Sequence, residues 1–214
     1  FPAKTIYCLV RGSDDATAEK RLLRELRGPH QVCRAAGRIG RDTGDDGAAA
    51  AAAAAAEGLA VINEAMMTGR VVCVRGDLKL PGFGVFNFGD PCTAAHSALL
   101  QAKLLETCDL VMHNASWVNH HLPYSVLRGA NVGGTRSAID LALRCTRRPR
   151  FHLVSSVSAL PVGVKSTEEI VPLSPSQMSQ RDGYGQTKVV AEQLLSDAAS
   201  RFNLPVSIYR PSVI

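Results

Sequence analysis

The chain has 214 residues, enough for one domain or for one domain with a piece of another. Hydrophobic residues make up 46% of it and aromatic residues only 5%, so it can bury an aliphatic, alanine-rich core. A formal charge of +5, carried by scattered arginines with no aromatic residues interleaved, argues against nucleic-acid binding and suits an anionic cofactor. Thr5-Ile6-Tyr7-Cys8-Leu9-Val10 is a short β-rich apolar run that reads as a buried parallel strand. Ser13 or Asp14 can cap a helix over about residues 14–27, with Leu22, Leu23 and Leu26 on its inner face. Between Gly37 and Gly58 the character changes: Arg41-Asp42-Thr43-Gly44-Asp45-Asp46-Gly47 leads into nine consecutive alanines, Ala48 to Ala56. Alanine favours helix, but without an amphipathic face this segment (about 37–58) reads as an unpacked surface insertion.

Val71-Val72-Cys73-Val74 is a second buried strand, ending in Gly76-Asp77-Leu78. A loop with Pro81, Gly82, Gly84 and Gly89 follows, then a helix over about 93–106. Leu110 to Asn114 is a third strand, and Pro123 to about Cys145 a long helix. Phe151 to Ser156 is a fourth strand, 159–183 a proline-rich loop, Tyr184 to about Phe202 a helix, and Val206 to Arg210 a fifth strand. Strand and helix alternate at βαβ spacing, which predicts an α/β domain on a doubly wound parallel sheet. In such sheets the ligand sits at the carboxyl ends of the strands. Arg11, Asp77, Asn114, Ser156 and Pro211-Ser212 all follow strand ends, which points to one shared cleft.

Three residues of the last third carry the chemistry: Ser156, Tyr184 and Lys188. Tyr and Lys four apart lie one turn from each other on a single helix face. An ammonium beside a phenol favours the phenolate, so Lys188 is expected to pull the Tyr184 pKa down from its usual value of about 10. A phenol so tuned exchanges a proton with a carbonyl oxygen, and the Ser156 hydroxyl can hydrogen-bond that same oxygen. A Tyr/Lys pair by itself is common on exposed helices; joined to Ser156 at a strand end, it reads as the triad of a nicotinamide-dependent carbonyl reductase.

Arg11 stands where a dinucleotide fold that uses NAD normally places an Asp or Glu for the ribose 2′-hydroxyl. An arginine instead suits a 2′-phosphate, which favours NADP (NADPH), and Arg21 in the following helix can face the same group. Asp77 can accept from an adenine amino group while Leu78 packs on the ring. Asn114-Ala115-Ser116 provides small residues where backbone can approach the cofactor. Asn131 has two open readings: it holds a water behind Lys188, or it bonds the backbone. His113, His120 and His121 are close in sequence, but His120 and His121 point to different sides and no carboxylate or cysteine partner recurs at ligand spacing, so no metal site is expected. Six cysteines without a C-x-x-C pair read as reduced core thiols of a cytoplasmic protein. No apolar stretch reaches membrane-spanning length.

The Tyr-x-x-x-Lys pair with its upstream serine resembles the short-chain dehydrogenase/reductase superfamily, of the extended type. Longer strings narrow the resemblance: Tyr7-Cys8-Leu9-Val10-Arg11, Arg75-Gly76-Asp77-Leu78, the run from Val111 through His113-Asn114-Ala115-Ser116-Trp117-Val118-Asn119-His120-His121 to Tyr124, Ala130 to Thr135, Gly183 to Glu192, and Leu204 to Ser212. Together they are similar to the thioester reductase domains of nonribosomal peptide synthetases, carboxylic acid reductases and aminoadipate reductases. The resemblance covers nearly the whole chain except the alanine insert.

That resemblance implies a Rossmann-like fold and NADPH-driven reduction of an acyl thioester on a phosphopantetheine arm to an aldehyde, which some members reduce again to an alcohol. It implies a carrier-protein acyl thioester, or acyl-CoA, as substrate and a larger multidomain chain as context. On that model Ser156 and Tyr184 polarise the carbonyl, and Lys188 tunes Tyr184 and bonds the nicotinamide ribose. Arg11 and Arg21 meet the 2′-phosphate, Asp77 and Leu78 meet the adenine, and Pro211-Ser212-Val213 lies by the nicotinamide. The chain opens on Phe1-Pro2 and stops on Val213-Ile214 in mid-pattern, which reads as a fragment. The family's first strand with its glycine-rich turn and its C-terminal substrate subdomain have no counterpart in the sequence, so weak NADPH binding and little turnover are expected of these residues alone. A fatty acyl-CoA reductase is the neighbouring alternative. A sugar-nucleotide epimerase or dehydratase of the extended superfamily is another, opposed by Arg11.

Overall fold

The β-branched runs become strands and the stretches between them helices, as the alternation predicts. The computed structural model describes residues 4–27, 60, 61, 63–85, 95–161, 163 and 174–212. The alanine-rich insertion, Val213, Cys33 and Cys92 lie outside the described residues. The chain divides into two compact units, Phe1–Asp77 and Leu78–Ile214.

The first unit pairs β1 (Ile6–Val10) with β2 (Val71–Arg75) in parallel, with Cys8 opposite Cys73. Helix α1 (Asp15–Arg27) starts where the Asp14 carboxylate accepts from the Thr17 amide at 2.7 Å, which satisfies one orphan N–H of the first turn. Its inner face buries Ala18 and Leu22. A Cβ added at Gly12 would lie 2.6 Å from the Ala18 nitrogen, so only glycine lets the turn after β1 run this close to α1. Arg75 at the end of β2 donates to Asp15 at 3.2 Å and to the Ser13 carbonyl at 3.3 Å, which ties β2 to the start of α1.

The second unit holds a short 3₁₀ turn (Pro81–Gly84), α2 (Ala95–Thr107), β3 (Leu110–His113), α3 (Tyr124–Arg144), β4 (Arg150–Val154), a second 3₁₀ turn (Val157–Ala159), α4 (Pro175–Ser179), α5 (Gly183–Phe202) and β5 (Val206–Tyr209). Its sheet is parallel, in the order β3-β4-β5, with Phe151 facing Val111 on one side and Val206 on the other. Central β4 carries the core: Phe151 and Leu153 are fully buried, together with Leu127 of α3 and Leu195 of α5. Helices α3 and α5 pack on each other along much of their length. On α3, Gly134 leaves room for Leu78, whose Cδ2 would be 3.0 Å from a Cβ there.

Two local differences from the sequence expectation have physical causes. The stretch 159–183 contains α4, started by a capping box in which Ser174 accepts from the Gln177 amide and the Gln177 side chain accepts from the Ser174 amide. The fourth strand ends at Val154 instead of Ser156, because Ser156 caps the turn that follows. Helix α5 ends at Asn203, whose left-handed φ of 54° stops the helix without a glycine. Cys8, Cys73, Cys108 and Cys145 are free thiols. Among the described residues no helix is long and apolar enough to cross a membrane.

Candidate active site

The first turns of α5 form the floor of the site. Asp182 caps the helix, its Oδ1 accepting from the Gly185 amide at 2.6 Å. Gly183 allows the helix start to meet another backbone directly: an added Cβ would be 2.3 Å from the Leu122 carbonyl oxygen and 2.5 Å from the Tyr124 nitrogen. Gly185 does the same toward the turn after β4, where a Cβ would be 3.1 Å from the Ser158 carbonyl oxygen. Tyr184 and Lys188 follow on one face, both buried.

Lys188 points back to the sheet, its Nζ donating to the Val154 carbonyl at 2.9 Å. That oxygen closes β4, two residues before Ser156. The Ser156 Oγ accepts from the Ser158 amide at 3.1 Å and donates to the Ser158 hydroxyl at 3.2 Å. The contacts of α5 at Val154 and at Ser158 therefore fall on either side of Ser156 in the chain. The Val157 amide donates to the Pro211 carbonyl at 3.2 Å, which sets Pro211 and exposed Ser212 beside the same turn.

The segment after β3 closes another side. Asn131 of α3 accepts from the Trp117 amide at 2.7 Å and donates to the Trp117 carbonyl at 3.1 Å and to the Thr187 hydroxyl at 3.0 Å. Of the two readings of Asn131, this geometry is the backbone bond: the carboxamide clamps the loop that carries Ser116. The Ser116 Oγ is buried with no hydrogen-bond partner among the described residues. Asn114 and Ala115 lie exposed just beyond β3.

Electrostatics correct one expectation. Burial raises the Tyr184 pKa; the nearby Ser116 hydroxyl, although outside hydrogen-bond geometry, offsets part of the rise, and the Asp182 charge adds to it. Lys188 does not lower it, because the ammonium is turned to the Val154 carbonyl and stands 5.6 Å from the centre of the phenol ring. The phenol is thus a proton donor at neutral pH. Burial also pulls the Lys188 ammonium down to about 8, against the opposing pull of the Glu192 carboxylate. His113, under the site, is buried, shares a 3.1 Å hydrogen bond with the Thr135 hydroxyl, and is held neutral with a pKa of about 4 by burial and by the charge of Lys188.

Of the residues expected at the site, Leu78, Asn114, Ala115, Ser116, Asn131, Ser156, Tyr184, Lys188, Pro211 and Ser212 belong to the second unit, and Arg11, Arg21 and Asp77 to the first. Arg11 is exposed after β1, and Arg21 is half-buried on α1. Leu78 packs on Gly134 of α3. Sequence reasoning passed over Ser155, Glu192 and Arg210. The buried Glu192 accepts from Ser155 Oγ at 2.5 Å and from Arg210 at 2.8 to 3.2 Å. It lies one turn beyond Lys188, so the repeat of Tyr184, Lys188 and Glu192 at intervals of four was the available signal. Asp182 was passed over as well, and His120 was weighed only as a metal ligand: His120 Nδ1 bonds Asp182 Oδ2 at 2.5 Å, and its ring meets that of Tyr184 edge-on, centroids 5.2 Å apart.

The chain is similar to known reductases over most of its length. It is 36% identical over 148 residues to a hybrid PKS-NRPS synthetase of Penicillium citrinum, gkaA, a match covering 68% of this chain and 3% of that protein. It is 31% identical over 179 residues to a carboxylic acid reductase of Segniliparus rugosus, covering 67% of this chain and 15% of that one. The chain thus spans only a small part of the curated relatives it matches. Among solved structures, the terminal R domain of the myxalamid PKS-NRPS pathway superposes with a TM-score of 0.62 at 32% identity, covering 97% of this chain and 42% of that one. The NAD-binding model described as male sterility protein matches residues 1–214. The chain therefore belongs to that NAD-binding family of reductase domains within the extended short-chain dehydrogenase/reductases, whose members are nicotinamide-dependent oxidoreductases.

Proposed function

We propose that the domain reduces a carrier-bound acyl thioester to an aldehyde with NADPH. The observation that carries this reading is the anchoring of α5 on both sides of Ser156, through Lys188 at Val154 and Gly185 at Ser158. On this reading a hydroxyl, a protonated phenol and an ammonium serve one carbonyl group.

The residues fit a nicotinamide cofactor. The buried Ser116 hydroxyl lacks a hydrogen-bond partner among the described residues, and a bound dinucleotide offers one. Lys188 and Pro211-Ser212 would hold the nicotinamide end, with Asn114 and Ala115 leaving backbone open to it. Arg11 and Arg21 would meet the 2′-phosphate that marks NADP, with Asp77 and Leu78 at the adenine. When bound, the cofactor supplies the hydride that reduces the carbonyl carbon.

The protein does the rest. Tyr184 and Ser156 hydrogen-bond the carbonyl oxygen and stabilise the negative charge that grows there. The raised phenol pKa keeps the proton on Tyr184 until that oxygen becomes basic. Lys188, held on the last carbonyl of β4, fixes the helix turn that carries Tyr184. The tetrahedral adduct then expels the thiolate, the C=O re-forms, and the hydroxyl proton returns to Tyr184.

The test uses the full-length protein, with NADPH oxidation followed on an acyl-carrier thioester and on the matching acyl-CoA. Tyr184→Phe is expected to lower turnover at least a hundredfold while NADPH binding stays within a factor of three. Unchanged turnover would remove Tyr184, and the triad with it, from the chemistry.

A further inference from the structure

Collapse of the adduct breaks a C–S bond, and in the scheme above the Tyr184 proton serves the carbonyl oxygen and not the sulfur. The loop between β3 and α3 places a second acid–base group beside Tyr184. His120 meets the tyrosine ring edge-on with centroids 5.2 Å apart, and its Nδ1 is held at 2.5 Å by Asp182 Oδ2. Asp182 is fixed in turn, since its other oxygen caps α5. The imidazole is therefore oriented by a carboxylate, an arrangement that fixes the ring. Its side chain is 57% exposed, and Nε2 has no hydrogen-bond partner among the described residues.

A purely structural role accounts for these facts less well. The loop is already pinned without the imidazole: Asn119 Oδ1 accepts from the His121 and Leu122 amides at 2.9 and 3.0 Å, and Gly183 seats the backbone of Leu122–Tyr124 on α5. A ring needed only as a strut would not leave a nitrogen open at the mouth of the site.

Resting on the thioester reading above, we propose that His120, oriented by Asp182, is the general acid that protonates the departing thiol. Hydride and its electron pair enter the carbonyl carbon, the C–S pair leaves with sulfur, and the Nε2 proton of the imidazolium passes to sulfur. The net change is thioester, NADPH and one proton to aldehyde, thiol and NADP⁺, with solvent reprotonating His120.

The full-length protein is compared with its His120→Asn variant, whose carboxamide nitrogen can keep the bond to Asp182 but cannot transfer a proton. Single-turnover rates are measured on three substrates: an alkyl (pantetheine) thioester, an aryl thioester of the same acyl group, and the corresponding aldehyde. The aryl thiolate is a good leaving group that needs no proton, and the aldehyde has no sulfur to expel. The expected result is a 10- to 100-fold loss on the alkyl thioester and less than a threefold loss on the other two. Parallel losses on all three, or no loss on the alkyl thioester, overturn the proposal and leave the reductase reading intact. Failure of the unaltered protein to reduce either thioester while it reduces the aldehyde overturns that reading and the proposal together.

Discussion

Glu192 and Arg210 form a two-bond ion pair in the interior, with Nε donating to Oε1 at 2.9 Å and Nη2 to Oε2 at 2.8 Å. Their side chains are 5% and 12% exposed, so each charge depends on the other for what water no longer supplies. Ser155 donates to the same carboxylate. One acidic group thus ties the end of β4, which leads to Ser156, to the end of β5, which leads to Pro211 and Ser212.

Glu192→Gln removes the carboxylate charge that meets Arg210, and breaking a buried pair in this way costs on the order of 3 kcal/mol. The denaturation midpoint should fall accordingly in urea. Reductase turnover should fall too, because Ser156 and Pro211 lose their common anchor. A variant with unchanged midpoint would show that the pair adds nothing to the folded state.

Arg11 bears on cofactor choice. In the full-length protein Arg11→Ala should raise KM for NADPH about tenfold or more, the loss expected of a charge-assisted contact to phosphate of about 1.5–3 kcal/mol. KM for NADH should move less than twofold. Equal changes for both dinucleotides would place Arg11 away from the 2′-phosphate.

His113 gives the fold a pH dependence of predictable sign. Its folded pKa of about 4 lies below the ordinary value of 6.5 because burial, and then the charge of Lys188, disfavour the imidazolium. Below pH 6.5 the unfolded chain takes up a proton that the folded chain refuses, so stability falls as pH drops toward 4. The loss reaches roughly 3 kcal/mol at the bottom of that window. His113→Gln should flatten the stability profile between pH 6.5 and 4 in equilibrium denaturation. A profile as steep as the parent's would assign the acid sensitivity to other groups.

Much of this was legible before any coordinates. The β-branched runs at 5–10, 71–74 and 206–210 announced strands because such residues suit a pleated, buried surface, and the glycines and prolines between them marked the turns. The residues at strand ends were legible because alternation alone assigns them to one side of a parallel sheet. Burial was not legible. Spacing shows that Lys188 lies a turn from Tyr184, but not that its ammonium turns to Val154 or that the phenol sits in a medium that raises its pKa. The same limit hid Glu192 and Arg210, which look like a surface pair in sequence. His120 was weighed only as a metal ligand, because its partner Asp182 lies 62 positions away. Helix α4 went unseen inside a proline-rich stretch, although Ser174 and Gln177 spell out its cap.

The bond from Lys188 to the Val154 carbonyl also decides how an inert form of this protein should be prepared for trapping a bound acyl chain. Removing the amine would strip the last carbonyl of β4 of its donor and disturb the scaffold along with the reaction. Removing only the phenolic oxygen of Tyr184 keeps that scaffold, so the phenylalanine variant is the better blank for co-crystallisation.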